Sequence, residues 1–457
     1  MFLKFINRDE ELGFLKKRHK QGKYELIVIY GRRRVGKTEL IKHFIKDYTA
    51  LYFLCDKSGT EKNINRLKKR IAQILNEPII ETNDLEEIFD YLAKKKNIIL
   101  IFDEFSYLVE KDKSIPSIFQ RTIDEVCKKN NMFIILCGSS ISMMEKGVLS
   151  YKSPLYGRKT AHIKLQQIQI KYFPKAFPKN TLEKNIEFYS IVGGVPFYFE
   201  RLDDKKSIKE NIIEHILSKT GELYEEIDFL LKEELREPDI YKSILLAIAQ
   251  GNTKTAEIAN KSGIKVQDID RYLKVLISLG IIKREIPITE NKSKRSIYII
   301  DDNLFSFWFK FAEPYKSDLE INELDLALKN FKKKFTNYVG IQFEDIVKKE
   351  ITRKTKIMEI EKIGKWWGHH REKGERKEIE IDCVGLNNTT KEILLAECKW
   401  KQNVDGKKEL EKLKNKAQYI KWNKNKRKEH YAIFAKSFKT KEANCFDLKD
   451  IEKMLKK

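Results

Sequence analysis

Residues 24–45 read YELIVIYGRRRVGKTELIKHFI. The opening run is almost wholly apolar, which predicts a strand buried on both faces, as in a parallel sheet. The closing run places Leu40, Ile41 and Phe44 at helical spacing. Between them stands G-x-x-x-x-G-K-T, from Gly31 to Thr38. In a strand, glycine-rich loop and helix, backbone N–H groups turn inward around phosphate, backed by the positive end of the helix. The candidate cofactor-binding residues are therefore Gly31, Arg32, Arg33, Arg34, Val35, Gly36, Lys37 and Thr38. The expected ligands are ATP and Mg²⁺. Lys37 would reach the β- and γ-phosphates, and Thr38 would ligate the metal.

A second apolar run, NIILIFDEF at residues 97–105, ends in Asp103 and Glu104. An aspartate at the end of such a strand can hold Mg²⁺ through water, and the next glutamate can orient and activate the attacking water. A third run, MFIILCGSS at residues 132–140, ends in Ser139 and Ser140. These serines either sense the γ-phosphate or make a strand-end turn.

A chain of 457 residues suggests about three domains. Its 41% hydrophobic content supplies real cores. The net charge of +23 favours an anionic partner such as nucleic acid, although many of the lysines are scattered on helices and also serve solubility. Cys55, Cys127, Cys137, Cys383, Cys398 and Cys445 form no C-x-x-C pair. They read as core residues in a reducing cytosol, neither a disulfide framework nor a zinc site. The start MFLKFINRDEE has no apolar signal core, and no uncharged span of about 18 residues follows. A cytoplasmic protein with no membrane partner is expected.

FINRDEELGFL, GRRRVGKT, IFDEF, CGSS, SPLYGR and GGVPFYF together resemble the archaeal ATPase family of the STAND-like P-loop NTPases. The resemblance covers residues 1–310 and extends into the tail. It implies a sheet with an additional strand, in which the catalytic-acid strand does not adjoin the P-loop strand. It implies Arg158 as a sensor or finger arginine, and Asn7 and Arg8 near the adenine. From the residues alone, Arg158 is one arginine in a loop. Gly193, Gly194 and Pro196 make either a turn near the nucleotide or a break in a helical lid. A homo-oligomer is among the assemblies considered.

In the middle of the chain, DIYKSILLAIAQG, TKTAEIANKSG and VQDIDRYLKVLISLGII predict three helices, ending at Gly251, Gly263 and Gly280. KREIPITENKSKRSIYIID then alternates as a hairpin with a charged tip, completing a winged helix-turn-helix. Gln267, Asp270, Arg271 and Lys274 offer a reading face, and Lys292, Lys294 and Arg295 suit phosphate contact. The other reading is a module that relays the nucleotide state. The aromatic stretch after it carries Phe305, Trp308, Phe309 and Ala312 at helical spacing, so a packed helix is expected rather than a base-stacking platform.

The tail predicts α-β-β-β-α-β order, beginning with a helix that carries Glu344 and a strand at TKIMEIEKIG. In IEIDCVGL, Glu380 and Asp382 share one strand face; in AECKW, Glu397 and Lys399 share one, and Cys398 faces away. If the two strands pair, Asp382 and Glu397 converge as oxygen ligands for Mg²⁺, and Lys399 can polarise the attacking water. Glu344 would complete the cluster. The alternative is a hairpin whose acids and lysine face solvent. The tail resembles the restriction-endonuclease-like PD-(D/E)xK superfamily, with Ile381 where that motif has proline. KWWGHH and KWNKNKRKEH add an expected basic, stackable surface.

The expected fold is α/β: a P-loop NTPase sheet with a helical lid, a winged helix-turn-helix and a restriction-endonuclease-like C-terminal domain. The expected boundaries are an ATPase core at 1–166, a lid at 167–236, a winged helix at 237–312, a linker at 313–330 and a nuclease-like domain at 331–457. The expected catalytic residues are Glu104, Arg158, Glu344, Asp382, Glu397 and Lys399. The expected metal ligands are Thr38, Asp103, Asp382 and Glu397. The functional expectation is an ATP-hydrolysing protein that couples nucleotide state to DNA binding or metal-dependent cleavage. The other reading is a nucleotide-dependent regulator or signalling scaffold whose tail binds nucleic acid without cutting it.

Overall fold

The P-loop strand, β1 (Glu25–Tyr30), is buried along its whole length. The computed structural model describes residues 5–95, 97–291, 293, 295–372 and 375–456. Contacts divide the chain into two units: Met1–Ile168 with Val195–Phe197, and Gln169–Gly194 with Tyr198–Lys457.

In the first unit, β1 joins β2 (Ala50–Leu54), β3 (Ile99–Asp103), β4 (Phe133–Gly138) and β5 (Ala161–Lys164). The order is β2-β3-β4-β1-β5, and every pairing is parallel. β4 separates the acid strand β3 from β1, as the resemblance implied. Side chains alternate between two apolar layers, so both faces need cover. Leu26, Val28, Leu100 and Leu136 enter one layer; Ile27, Ile29, Ile101 and Ile135 enter the other. Because the strands are parallel, the loop after β1 and Asp103 at the end of β3 meet at one sheet edge.

The second unit is built around the long helix Asp325–Ile346. Buried Tyr338 on it shares its hydroxyl proton between the carbonyls of Ser190, at 2.7 Å, and Asn303, at 3.1 Å. Helix Asn303–Phe311 packs beside it with Phe305, Trp308 and Phe309 buried, so this aromatic stretch is core and not a stacking platform. The segment expected as a linker at 313–330 is largely helical. Leu319 on Lys316–Glu320 and Ala327 in the long helix find apolar cover there. Helices Pro238–Ala249, Thr255–Ser262 and Val266–Ser278 precede an antiparallel hairpin of β6 (Ile282–Glu285) and β7 (Ile297–Ile300).

The tail sheet contains β8 (Lys362–Glu372), β9 (Glu375–Asn387) and β10 (Glu392–Lys399). β11 (Val404–Asp405) follows, then β12 (Lys428–Ala435), β13 (Phe438–Thr440) and β14 (Cys445–Phe446). The main order is β14-β12-β10-β9-β8, while β11 pairs only with β13. β8, β9 and β10 run antiparallel, whereas β10 and β12 run parallel across the helix Gly406–Ala417. The strand expected at TKIMEIEKIG starts late, at Lys362, because residues 352–355 form a 3₁₀ turn and Lys356 adopts φ 56°. The strand therefore takes in KWWGHH, and Trp366 and Trp367 are buried instead of forming a stackable surface. All six cysteines are free and buried. No helix of the described residues is long and apolar enough to cross a membrane.

Tyr338→Phe removes the donor shared by two buried carbonyls, of which that of Ser190 keeps only the longer bond from Asn303 Nδ2, at 3.4 Å, among the side-chain donors. It should lower the stability of the second unit by about 1–2 kcal/mol, read from denaturant unfolding followed at tryptophan.

Candidate nucleotide and metal sites

The loop after β1 has the backbone its motif demands. Gly31 has φ 155°, and a Cβ there would sit 2.5 Å from the carbonyl oxygen of Leu165. Gly36 has φ 91°, beside the Pro196 ring. Lys37 is buried and donates to the carbonyls of Gly31 and Arg32, each at 3.0 Å. Arg34 lies 3.7 Å over the Phe197 ring, and Arg33 donates to the Tyr107 hydroxyl at 3.1 Å. Pro196 and Phe197 therefore bring the GGVPFYF segment to the P-loop, which sequence left open.

The acids meet this loop from β3. Thr38 Oγ1 donates to Asp103 Oδ2 at 2.9 Å, and the Tyr52 hydroxyl donates to the same oxygen. Asp103 Oδ1 accepts the Glu104 N–H at 2.9 Å. Glu104 has φ 52°, and its Oε2 accepts from Ser139 Oγ at 2.7 Å and Ser139 N at 3.2 Å. Ser139 thus holds the expected general base, while the Ser140 carbonyl starts a turn by accepting from Met144 N. A helix N-terminus after a glycine turn, a lysine and a Thr–Asp oxygen pair fit a Mg²⁺-bound phosphate chain.

Arg8 ties the loop down: its Nη2 donates to the carbonyls of Val35, at 3.1 Å, and Gln166, at 2.6 Å. Asn7 accepts the Arg8 N–H. Arg8 thereby straps the P-loop to the segment after β5.

Arg158 departs from expectation. Its guanidinium is held by Asp124, at 2.7 and 3.1 Å, and its carbonyl accepts from Tyr24 Oη. Tyr24 precedes β1 and the P-loop follows it, a strand length of ~20 Å. The structure does not bring Arg158 to the P-loop of its own chain, because it precedes β5 at the opposite sheet edge.

In the tail, carboxylate atoms of Glu344, Glu380 and Asp382 lie within 4.8 Å of one another. Lys365 bridges Glu344, at 3.1 Å, and Glu380. Asp382 Oδ2 accepts the Cys398 N–H at 2.9 Å, just past the last β9–β10 ladder pair, Cys383 with Ala396. Burial raises the Asp382 carboxyl well above its usual range, and Glu344 and Glu397 push it the same way. Such an acid cluster suits a divalent cation.

Glu397 was expected to share a metal with Asp382. It is buried and committed to two lysines instead, Lys399 at 2.7 Å and Lys416 at 2.7 Å. Burial opposes the Lys399 charge, but Glu397 outweighs it and the ammonium is pushed up to about 12. Glu380 stands in the carboxylate group where Glu397 was expected. The two-residue spacing of Glu380 from Asp382 was a visible signal; nothing in the sequence pointed to Lys365 or Lys416. A cavity of about 260 Å³ opens on Asp382, Glu344 and Lys365, and another of about 470 Å³ on Glu397, Lys399, Lys412 and Lys416.

The β6–β7 hairpin packs on this tail. Arg295 Nη1 donates to the Trp367 carbonyl at 2.9 Å, and Trp367 Nε1 returns a bond to the Arg295 carbonyl at 3.1 Å. Ile288 N donates to the Lys365 carbonyl, Lys283 pairs with Asp345 at 2.9 Å, and Lys348 pairs with Glu285 at 3.0 Å. Arg295, expected to contact phosphate, is therefore engaged, and Lys292 and Lys294 lie outside the described residues. Gln267, Asp270, Arg271 and Lys274 are exposed, although Arg271 bonds the Tyr272 hydroxyl. Arg427 of the KWNKNKRKEH run caps the helix Gly406–Ala417 through the carbonyls of Ala417, Ile420 and Trp422.

A family described as an ATPase domain predominantly from Archaea matches residues 5–202. A second, described as archaeal and bacterial proteins of unknown function, matches residues 308–418. The uncharacterized protein MJECL04 of Methanocaldococcus jannaschii is 37% identical over 458 residues, covering 98% of this chain and 99% of that protein. The uncharacterized ATP-binding protein MJ0423 of the same organism is 56% identical over 43 residues, 9% of this chain and 73% of that protein. Among solved structures, a Walker-type ATPase of Pyrococcus abyssi is similar with a TM-score of 0.51 and 21% identity, covering 67% of this chain and 96% of that chain. That likeness supports the fold alone. With its P-loop sheet and a near full-length relative, this chain belongs to the archaeal ATPase family, its N-terminal ATPase domain being followed by the second family's domain in the tail.

Proposed function

We propose that the chain is an ATP-hydrolysing switch whose nucleotide state governs a metal-dependent, nucleic-acid-cutting tail. The observation that carries the first half is the Thr38–Asp103 hydrogen bond at the mouth of the P-loop, with Lys37 and Glu104 beside it. Mg²⁺, when bound, neutralises charge on the terminal phosphates. Lys37 exchanges its two loop carbonyls for phosphate oxygens. Thr38 and Asp103 already stand together. Glu104 leaves Ser139 to take the proton of the attacking water. Arg158 serves no phosphate of its own chain, so a catalytic role for it requires a second copy.

The second half rests on the Glu344, Glu380 and Asp382 group beside Glu397 and Lys399. The three carboxylates would hold the cation, and Lys399 would polarise the attacking water or steady the phosphate. The three helices and hairpin read as a winged helix whose hairpin is committed to the tail. That supports a relay of nucleotide state over groove reading by the wing, and leaves the exposed face of Val266–Ser278 for any DNA contact. The second reading, binding without cutting, draws on the engagement of Glu397 by two lysines, which leaves it paired rather than open to a metal. Nuclease and binding assays with Mg²⁺, with and without ATP, separate the two.

Lys37→Ala should reduce ATP hydrolysis by about 100-fold or more, because it removes a cation aimed at developing phosphate charge. Phosphate-release assays read this directly, and unchanged turnover would remove the P-loop role.

Glu104→Gln keeps the shape and loses the base. Calorimetry should find ATP bound with near wild-type affinity while turnover falls about 100-fold or more. Collapse of binding in a folded variant would give Glu104 a different role.

Asp382→Ala and Lys399→Ala should each eliminate Mg²⁺- or Mn²⁺-dependent nicking of plasmid DNA and leave ATP hydrolysis unchanged. Nicking that survives both changes would sink the nuclease reading.

A further inference from the structure

Tyr52 lies on β2, the edge strand farthest from the P-loop motif in the sheet order, and no motif pointed to it. Its Cα partner on β3 is Ile101, so its ring lies along the same face as Asp103, two positions further on. The hydroxyl reaches forward and donates to Asp103 Oδ2, the oxygen that also accepts from Thr38. Asp103 Oδ1 takes the Glu104 N–H, and the carboxylate is 2% exposed.

A carboxylate offers about four lone-pair directions. Thr38, Glu104 and Tyr52 supply donors to both oxygens from three separate segments: the P-loop helix, the turn after β3, and β2. Two donors on Oδ2 and one on Oδ1 set the rotation of the carboxyl group about its Cβ–Cγ bond. We propose that Tyr52 is a positioning residue for the Mg²⁺-bound nucleotide site, holding the Asp103 carboxylate in the orientation that faces Thr38. The proposal rests on the ATP-hydrolysing reading above.

Burial, and then the neighbouring Asp103 carboxylate, keep the Tyr52 hydroxyl protonated well beyond its usual range, so it remains a donor through the neutral pH range. Tyr52 stands on the edge strand β2 and its hydroxyl is spent on Asp103, so its role runs through that carboxylate. Its effect is on the metal's ligand alone. Removing the hydroxyl leaves the buried carboxylate one donor short, with only Thr38 and the Glu104 N–H to set its rotation.

Tyr52→Phe in the full chain separates this role from a structural one. Binding of a fluorescent ATP analogue is measured without divalent cation and then across a Mg²⁺ titration. We expect affinity without Mg²⁺ within twofold of wild type and an unchanged melting temperature. The Mg²⁺ concentration needed for half-maximal tightening should rise about tenfold, the size of one hydrogen bond to a charged group. In steady-state hydrolysis at limiting Mg²⁺, kcat should fall, and saturating Mg²⁺ should restore it. An unchanged Mg²⁺ requirement overturns the proposal. So does a loss of metal-free affinity or of melting temperature equal to the loss seen with Mg²⁺, which would mark Tyr52 as packing. If wild type binds the analogue but Mg²⁺ changes nothing, the metal role of Asp103 falls with it. If wild type binds no analogue at all, the ATP reading itself fails.

Discussion

Backbone N–H groups can converge on one point only where a strand ends, the chain turns through conformations open to glycine, and a helix starts at once. That constraint organises the first unit. β1 must be central and buried, so that the loop leaves a rigid edge. Gly31 must pass close to the Leu165 carbonyl, which places β5 against β1. Arg8 then binds carbonyls on both sides of that contact. β4 and β3 follow in parallel, which carries Asp103 to the same edge as Thr38. Each step satisfies a buried polar group that would otherwise cost about 1–3 kcal/mol. The Thr38–Asp103 hydrogen bond is the last consequence of the arrangement.

The tail uses charge differently. Three carboxylates are gathered with one bridging lysine, Lys365, while Glu397 is surrounded by two cations. Asp382 carries the penalty of burial, to which the neighbouring carboxylates of Glu344 and Glu397 add. A divalent cation relieves it, which is why the same geometry supports a metal reading. On the neighbouring strand the balance runs the other way, and Lys399 stays charged because Glu397 faces it. Between these groups and the three-helix segment, the β6–β7 hairpin is held by backbone bonds to Lys365 and Trp367 and by the Lys283–Asp345 and Lys348–Glu285 pairs.

Local pattern determined much of this protein. The apolar run before Gly31, the spacing of Leu40, Ile41 and Phe44, and the acids after NIILIF fell on the strand, helix and edge they predict, because burial on two faces and helical periodicity are properties of neighbouring residues. The same holds for Phe305, Trp308 and Phe309 in a packed helix, and for the order of elements in the tail. Family motifs placed the acid strand away from β1, which residue patterns alone could not do.

Long-range placement was decided only by the tertiary structure. Arg158 lies in a motif but precedes β5, at the sheet edge opposite the P-loop, and strand direction, invisible in a loop sequence, put it there. KWWGHH reads as a basic surface, yet its strand is covered on the Trp366 side by the apolar tail core. Glu397 and Lys399 alternate correctly along β10, but which charges face them depends on Lys416 and Glu409 arriving from the next helix and on Asp382 arriving from β9. Tyr52 carries no motif at all; it matters because β2 lies beside β3. Periodicity says which face of an element a side chain occupies, and only packing says what stands on the other side.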